Sequence, residues 1–509
     1  MEANGVWELT ELPPGCKAVG GRWVYILKRA KDGKIKRFKA RWVAKGYTQI
    51  NGVDYNETYA PVSQLNTFRI FLTITAREDL ELRQGDFKTA FLTANLVETV
   101  YMEQPKGYES RGEGGKMLVA HLLKALYGLK QSPLAFYNHS KNFFTTIDFS
   151  IAEADHCLYV GWKNGKRRML LQYVDDFAVA TSTSEEAEEI MKEFRAKFEI
   201  DDRGDLSDGV MLGMEVKRDR VSRTITLNQT RFAQEIIDRF GLKDLRPART
   251  PMEEHKQLII DSNLSREELQ GVNISQYLQA VGSLMYLMLC TRPDLAFAVG
   301  VISRYSHDPR SVHWAAVLRI FGYISGTKDQ GLTLGGRNDA PILEMWSDAD
   351  YAGDHETRRS TTGYVIKLFG STVVWASRRQ KSISKSSHEA EFIALSQGCQ
   401  NLLWISKLLR ELGFDVPTIS VHVDNQSAIE TTKKGNHSER TKHIDVAYKH
   451  GRELAQNGTI SLAYCHTDAM TADILTKALG REKFERFRDQ LSGDENGDVA
   501  QLIDIEWEC

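Results

Sequence analysis

The sequence predicts an α+β and α/β multidomain chain: a strand-rich N-terminal part, a helical middle and a mixed α/β C-terminal domain. Three observations predict it. The chain has 509 residues, which at roughly 150 residues per domain is room for about three. Hydrophobic residues make up 42% and charged residues 26%, the balance of globular material with enough apolar mass for real cores. The hydrophobic rhythm also changes along the chain, from strand-like runs to helical spacing over 241–335 and back to strand–helix alternation after 341.

The first elements are strands. "RWVYILKRA" and "RFKARWVAKGY" are joined by "KDGK", and Asp-Gly is a strong hairpin signal. The net charge is only −2, yet residues 17–49 hold eleven Lys or Arg against one acid, Asp32, while 491–509 hold six acids and no base. Solvation explains a few basic residues on a hairpin; eleven against one points to phosphate contact. In "QGDFKTAFL" Asp86 sits near a strand end, where a lone Asp usually caps or turns. "LYGLKQSPLAFYNHSKNFF" predicts a helix beyond Pro133, with Leu134, Phe136, Tyr137, Phe143 and Phe144 able to supply buried contacts. "RMLLQYV" and "FAVAT" flank Asp175-Asp176, which predicts a hairpin carrying both carboxylates at its turn. "STSEEAEEIMKEFRAKF" predicts an amphipathic helix started by a Ser182-x-x-Glu185 capping box. Adjacent carboxylates repel unless solvated or bridged by a cation. Solvation in a turn is one reading; the apolar strand on each side favours a metal, and magnesium takes oxygen ligands.

Residues 241–335 read as helices, with a loop over 252–270 and a boundary at "GLTLGGRNDAP", Gly331 to Pro341. Beyond it, "PILEMWSDADYAGD" is a strand ending in acids and "TTGYVIKLFGSTVVWAS" a hairpin turning at Gly370. "SSHEAEFIALSQGCQNLLWISKLLREL" is a long helix with a Ser386-x-x-Glu389 capping box, and "TISVHVDNQSAIE" a strand ending in Asp424. Asp348 closes the first of these strands, Glu391 lies in the first two turns of the helix, and Asp473 begins the last helix, "TADILTKAL". Each has a plain alternative, a turn residue for Asp348 or a dipole-favoured charge for Asp473. Together, four acids at comparable element ends are what two closely spaced divalent ions require.

Six cysteines at 16, 157, 290, 399, 465 and 509 form no C-x-x-C pair, so neither a zinc site nor a redox pair is indicated, and their scatter fits a reducing compartment. The opening "MEANGVWELTELPPG" is polar and unlike a signal peptide. No apolar stretch is long enough to span a bilayer, so no membrane partner is expected.

With these residues in place, the chain resembles the reverse transcriptase–ribonuclease H region of copia-type retrotransposon Pol polyproteins, from about Val6 to about Leu491. The likeness is carried, in order, by "WVYILKRAKDGKIKRFKARWVAKGYTQINGVDYNETYAPV", "DFKTAFL", "VYMEQPKGY", "LKALYGLKQSP", "YVDD", "VGSLMYLMLCTRPDLAFAV", "SDADYAGD", "SSHEAEFIAL", "VDNQSAI", "RTKHIDV" and "ADILTKAL". It implies a right-hand polymerase with fingers and palm (1–240), a helical thumb and connection (241–335), a ribonuclease H-like mixed-sheet domain (336–491) and an acidic tail (492–509). It implies that Asp86, Asp175 and Asp176 hold the polymerase metals, and Asp348, Glu391, Asp424 and Asp473 those of the nuclease, with Asp350 and Glu389 ranked second. Phe91 falls where such polymerases set an aromatic against the sugar 2′ position; Lys39 and Arg41, with Arg37 ranked after them, fall where the fingers meet the triphosphate. Lys130 lies in the Gly128–Pro133 segment that shapes the nucleotide pocket.

The implied cofactor is Mg2+, two ions per site, with Mn2+ as alternative. The implied partners are RNA template, DNA primer and product, RNA–DNA hybrid and dNTPs, with a homodimer and other Pol or Gag products further candidates. The implied location is cytoplasmic, in virus-like particles, with the nucleus as second choice. Basic stretches 378–385 and 433–452 are candidates for hybrid contact. The chain departs from the family at Thr93-Ala94-Asn95, at Phe87, where a β-branched residue is usual, and at His466, which is either a mobile histidine aiding product release or a surface residue. It carries no Asp-Ser-Gly or Asp-Thr-Gly protease signature, zinc knuckle or integrase cluster, as expected of one piece of a longer polyprotein. Two rival readings stay open: a nucleic-acid-binding protein that has lost catalysis, and a DNA-templated polymerase.

Overall fold

The computed structural model describes residues 4–29, 34–254, 258, 265–337, 339–427, 429–430 and 445–493. The expected Asp-Gly turn, the acidic tail from 494 and most of the basic stretch 433–452 lie outside these residues. The chain divides into two units, Met1–Ser63 with Glu81–Gly204, and Gln64–Leu80 with Asp205–Cys509. In sequence they part inside the expected 1–240 segment. No helix among the described residues is long and apolar enough to cross a membrane.

In the first unit, strands Gly21–Arg29 and Ile35–Ala44 form the expected antiparallel hairpin, with Val24 opposite Arg41. A six-stranded sheet runs in the order Ile200–Asp205, Glu81–Phe87, Asp176–Thr181, Lys166–Tyr173, Leu158–Lys163, Ser150–Ile151. Successive strand residues face opposite sides of a sheet. Phe87 and Phe177 therefore enter the core, 4.7 Å apart between ring centres, while Asp86 and Asp176 face away from it. Phe136 of helix Ser132–Thr146 and Phe194 of helix Ser184–Lys197 meet Phe87 at 5.6 and 5.8 Å. Both helices thus cover the face opposite the carboxylates. This cluster accounts for the departure at 87: a full ring is buried there, about 1.5–3 kcal/mol of burial. The Ser184–Lys197 helix starts one residue later than expected. Thr183, not Ser182, caps it by accepting the Glu186 N–H at 3.2 Å, and the Ser182 hydroxyl donates to the Glu186 carboxylate instead.

In the second unit, strands Asp208–Met211, Met214–Asp219, Thr224–Asn228 and Gly331–Gly335 form an antiparallel sheet. The Gly331–Gly335 strand corrects the boundary expected from Gly331 to Pro341. Its Leu-Thr-Leu alternation buries Leu332 and Leu334, and a Cβ at Gly331 would meet the Leu227 carbonyl at 2.0 Å, so only glycine lets the strands close. Helices Ile274–Cys290, Ala296–Ser303 and Ser311–Gly326 share a core built on Tyr277, Leu284, Val299, Ile320 and Phe321. The C-terminal sheet runs Ser371–Arg379, Thr361–Leu368, Leu343–Asp350, Ile419–Val423, Ile460–Tyr464; the first two pairings are antiparallel, the last two parallel. Helix Ser387–Glu411 packs on its middle strands. The sheet is mixed, as the α/β reading of this region expects. Ser386 caps the helix as expected, whereas the Glu389 carboxylate accepts from the Lys385 N–H. Two placements are corrected. Asp348 lies inside its strand, which ends at Asp350. Asp473 lies in a short 3-10 turn, Thr471–Leu475, and the last helix is Arg481–Ser492.

Candidate metal centres

Asp86 and Asp176 are direct partners in the antiparallel ladder, so strand pairing alone sets their side chains together on the face opposite the phenylalanines. Asp175 comes from the turn between Lys166–Tyr173 and Asp176–Thr181. Its neighbour Val174 has φ 57, a left-handed conformation uncommon for a β-branched residue. Two anchors hold it: Gln172 Nε2 donates to the Val174 carbonyl at 3.0 Å, and the Phe87 N–H to the Asp175 carbonyl at 2.8 Å. Gln172 is itself held by the Ser140 hydroxyl at 3.1 Å. One oxygen from each of the three aspartates then lies within 4.8 Å of the others. Arg203 bridges two of them, 2.9 Å from Asp176 and 3.5 Å from Asp86. Burial pushes the Asp86 carboxyl up, Asp175 adds to this, and Arg203 pulls it back; for Asp176 burial raises and Arg203 opposes.

Of the residues expected around a nucleotide, Arg41 and Phe91 meet at Tyr127. The Arg41 guanidinium lies over its ring at 4.8 Å, and Phe91 packs against it at 4.7 Å. Gly128, at φ 94, makes this approach feasible: a Cβ there would meet the Ala44 carbonyl at 2.2 Å, where the Ala44 N–H donates to the Tyr127 carbonyl at 2.8 Å. Burial raises the Tyr127 hydroxyl, Arg41 lowers it, and Asp175 and Asp86 raise it again, so the ring lies in the field of both Arg41 and the carboxylates. Sequence reasoning missed Tyr127, although it immediately precedes the glycine of "LYGLKQSP". Arg37, Lys39 and Arg41 line a cavity of about 670 Å³ with Trp23, Trp42 and Tyr108. Lys130 donates to the Tyr55 hydroxyl at 3.0 Å.

The second cluster is sunk into its domain. Asp348, Asp424 and Asp473 each offer an oxygen within 4.8 Å of the others. Glu391 is outside that group but buried beside it; its Oε1 accepts the Ala349 N–H at 3.3 Å and its Oε2 has no hydrogen-bond partner. Burial and then Asp473 push the Asp348 carboxyl up to about 7, against Lys477 and the Thr476 hydroxyl that donates to it. Burial and Asp348 push Glu391 well above its ordinary range, and burial and Asp473 raise Asp424. The all-oxygen donor set, the orphaned Glu391 oxygen and carboxylates whose charge is unfavourable without a cation fit divalent ions such as magnesium. No third such group occurs among the described residues. Asp350 is half-buried near Lys477, and His466 is exposed, accepting from the Asp468 N–H at 3.2 Å. Of the basic stretch 378–385, Arg379 is paired with Asp354 at 2.7 Å.

A family model described as "Reverse transcriptase (RNA-dependent DNA polymerase)" matches residues 4–254. The retrovirus-related Pol polyprotein from transposon TNT 1-94 of Nicotiana tabacum is 38% identical over 488 residues, 95% of this chain and 36% of its own length. The Pol polyprotein from transposon RE1 of Arabidopsis thaliana is 34% identical over 491 residues, 96% of this chain and 32% of its own. The chain thus spans about a third of the polyproteins it matches. Among solved structures, the foamy viral protease-reverse transcriptase dRH in complex with ds DNA is similar over 92% of this chain and 68% of that one, with a TM-score of 0.49 and 12% identity.

Proposed function

We propose, for a chain that belongs to the retrotransposon Pol polyprotein family and carries its reverse transcriptase region, that it is an RNA- and DNA-directed DNA polymerase that also degrades the RNA strand of RNA–DNA hybrids. The observation that carries this reading is the pair of separate three-carboxylate groups, one on the palm-like sheet and one in the ribonuclease H-like domain. Fingers and palm would occupy 1–240, thumb and connection 241–335, and the nuclease 336–491. Asp86, Asp175 and Asp176 would hold the polymerase ions, and Asp348, Glu391, Asp424 and Asp473 the nuclease ions. What a pair of bound Mg2+ ions supplies, with Mn2+ as alternative, is positive charge at the attacking and leaving oxygens of phosphoryl transfer. Arg41 and Lys39, with Arg37, would steady the triphosphate of a dNTP, while Phe91 and Tyr127 wall the sugar and base. Template pairing supplies sequence; recognition of the hybrid rests on backbone shape and 2′-hydroxyls.

The test is primer extension on an RNA template with Mg2+, followed by assay of the hybrid product for RNA loss. Both activities are expected, and a chelator should stop both. A folded protein that binds the template–primer but does neither would be a nucleic-acid-binding relative without catalysis.

A further inference from the structure

Asp473 is fully buried, and both its oxygens face ammonium groups: Lys477 Nζ lies 2.9 Å from Oδ1 and Lys483 Nζ 2.7 Å from Oδ2. The two lysines are held differently. Lys483 also donates to the Thr467 carbonyl at 3.0 Å, an anchor independent of the carboxylates. Lys477 lies four residues after Asp473, just past the 3-10 turn, and its described ion pair is with that residue alone. Its charge is favoured by Asp348, Asp473 and Asp350 against its partial burial. Both lysines line a cavity of about 900 Å³, shared with Arg304, Tyr305, Asp350, Arg358 and Arg481. With the same space beside both, the flexible stem that has one anchor can leave, and the one with a second anchor on the Thr467 carbonyl is held.

Resting on the reading of the second cluster as a metal centre, we propose that Lys477 is its resident counter-cation: the ammonium neutralises Asp348 and Asp473 while no divalent ion is bound, and turns into the adjoining cavity when one is. Converging carboxylates repel without a cation. The lysine keeps the cluster assembled in the metal-free protein and competes with the metal for the same oxygens. It is a positioning residue, acting through the carboxylates.

The test uses the full chain with the first cluster neutralised (D86N/D175N), so that Mg2+ effects report on the second. Lys477→Met keeps most of the apolar stem and removes the charge. Without metal it should lower the thermal midpoint; with saturating Mg2+ that deficit should vanish, and calorimetric titration should give several-fold tighter apparent Mg2+ binding than with Lys477 present. A deficit that persists in Mg2+ with unchanged affinity would make Lys477 a plain structural ion pair and overturn the proposal. Absence of any Mg2+ response in both proteins would remove the metal-centre reading itself, and the proposal with it. If Lys477→Met does not fold, labelling of the D86N/D175N protein with an amine-reactive ester, read by mass spectrometry at Lys477, decides. Labelling should rise several-fold on adding Mg2+; no change or a fall would overturn the proposal.

Discussion

The two carboxylate clusters reach similar oxygen spacing by opposite routes. The first is built locally: Asp86 and Asp176 are ladder partners, Asp175 sits in the connecting turn, and Arg203 from the strand at the sheet edge bridges the pair. Its members are all partly exposed. The second gathers Asp348, Asp424 and Asp473 from three separated elements and buries two of them, with Glu391 buried alongside. The lesson is electrostatic. A half-exposed cluster shares its repulsion with water, while a buried one has little water and passes the repulsion into its proton affinities. Burial first, and repulsion by Asp473 second, push Asp348 up to about 7.

The largest expected effect breaks the molecule into its two centres. Asp176→Asn should lower primer extension by on the order of a thousandfold or more, since several kcal/mol of charge stabilisation is lost with a metal ligand, and leave hybrid cleavage intact. Glu391→Gln should do the reverse. Loss of both activities from either folded variant would mean that the centres are not independent.

The next effect is in pH. Asp348 is raised in the folded state, so its favourable contribution is fully present below the unfolded carboxylate range near about 4 and is lost as pH rises towards about 7. Across that window the metal-free protein should lose stability relative to Asp348→Asn, by on the order of a few kcal/mol. Thermal midpoints of both proteins in chelator from about pH 4 to about pH 8 check this. Parallel curves would place Asp348 in a more solvated setting than described.

A smaller effect sharpens the account of the first centre. Gln172→Leu removes the donor to the Val174 carbonyl and the acceptor of Ser140. It should lower stability by about 1–3 kcal/mol and slow extension more than hybrid cleavage, measured side by side. The smallest effect belongs to Arg203→Gln. The guanidinium is partly exposed, so the change in metal-free stability should stay below about 1 kcal/mol and shrink with added salt. Denaturant titrations at low and high salt read it.

The local centre is also the more legible one in the sequence. Two apolar runs around Asp175-Asp176 state a hairpin, and period two then puts both Asp176 and its partner on the face opposite the phenylalanines. Arg203 leaves no such sign, because nothing in "DDRGD" tells which strand its own will lie beside. Tyr127 escapes notice for the same reason: its role comes from the approach of the Ile35–Ala44 strand across Gly128, a contact more than eighty residues apart in sequence. In the second centre the acids can be read from their element ends, although Asp348 lies within its strand and Asp473 in a 3-10 turn. The convergence itself depends on a parallel pairing between Leu343–Asp350 and Ile419–Val423 across an intervening hairpin and helix, which periodicity does not encode. The Thr183 cap shows the finer limit, since Ser182 with Glu185 and Thr183 with Glu186 offer adjacent cap registers and only packing selects one.

A chain with two separate divalent-metal centres should reveal both in anomalous diffraction from crystals soaked in Mn2+. Peaks are expected in both places, among Asp86, Asp175 and Asp176 and among Asp348, Asp424 and Asp473 with Glu391 turned towards them. A well-ordered crystal with manganese at neither cluster, or at only one, would contradict this expectation.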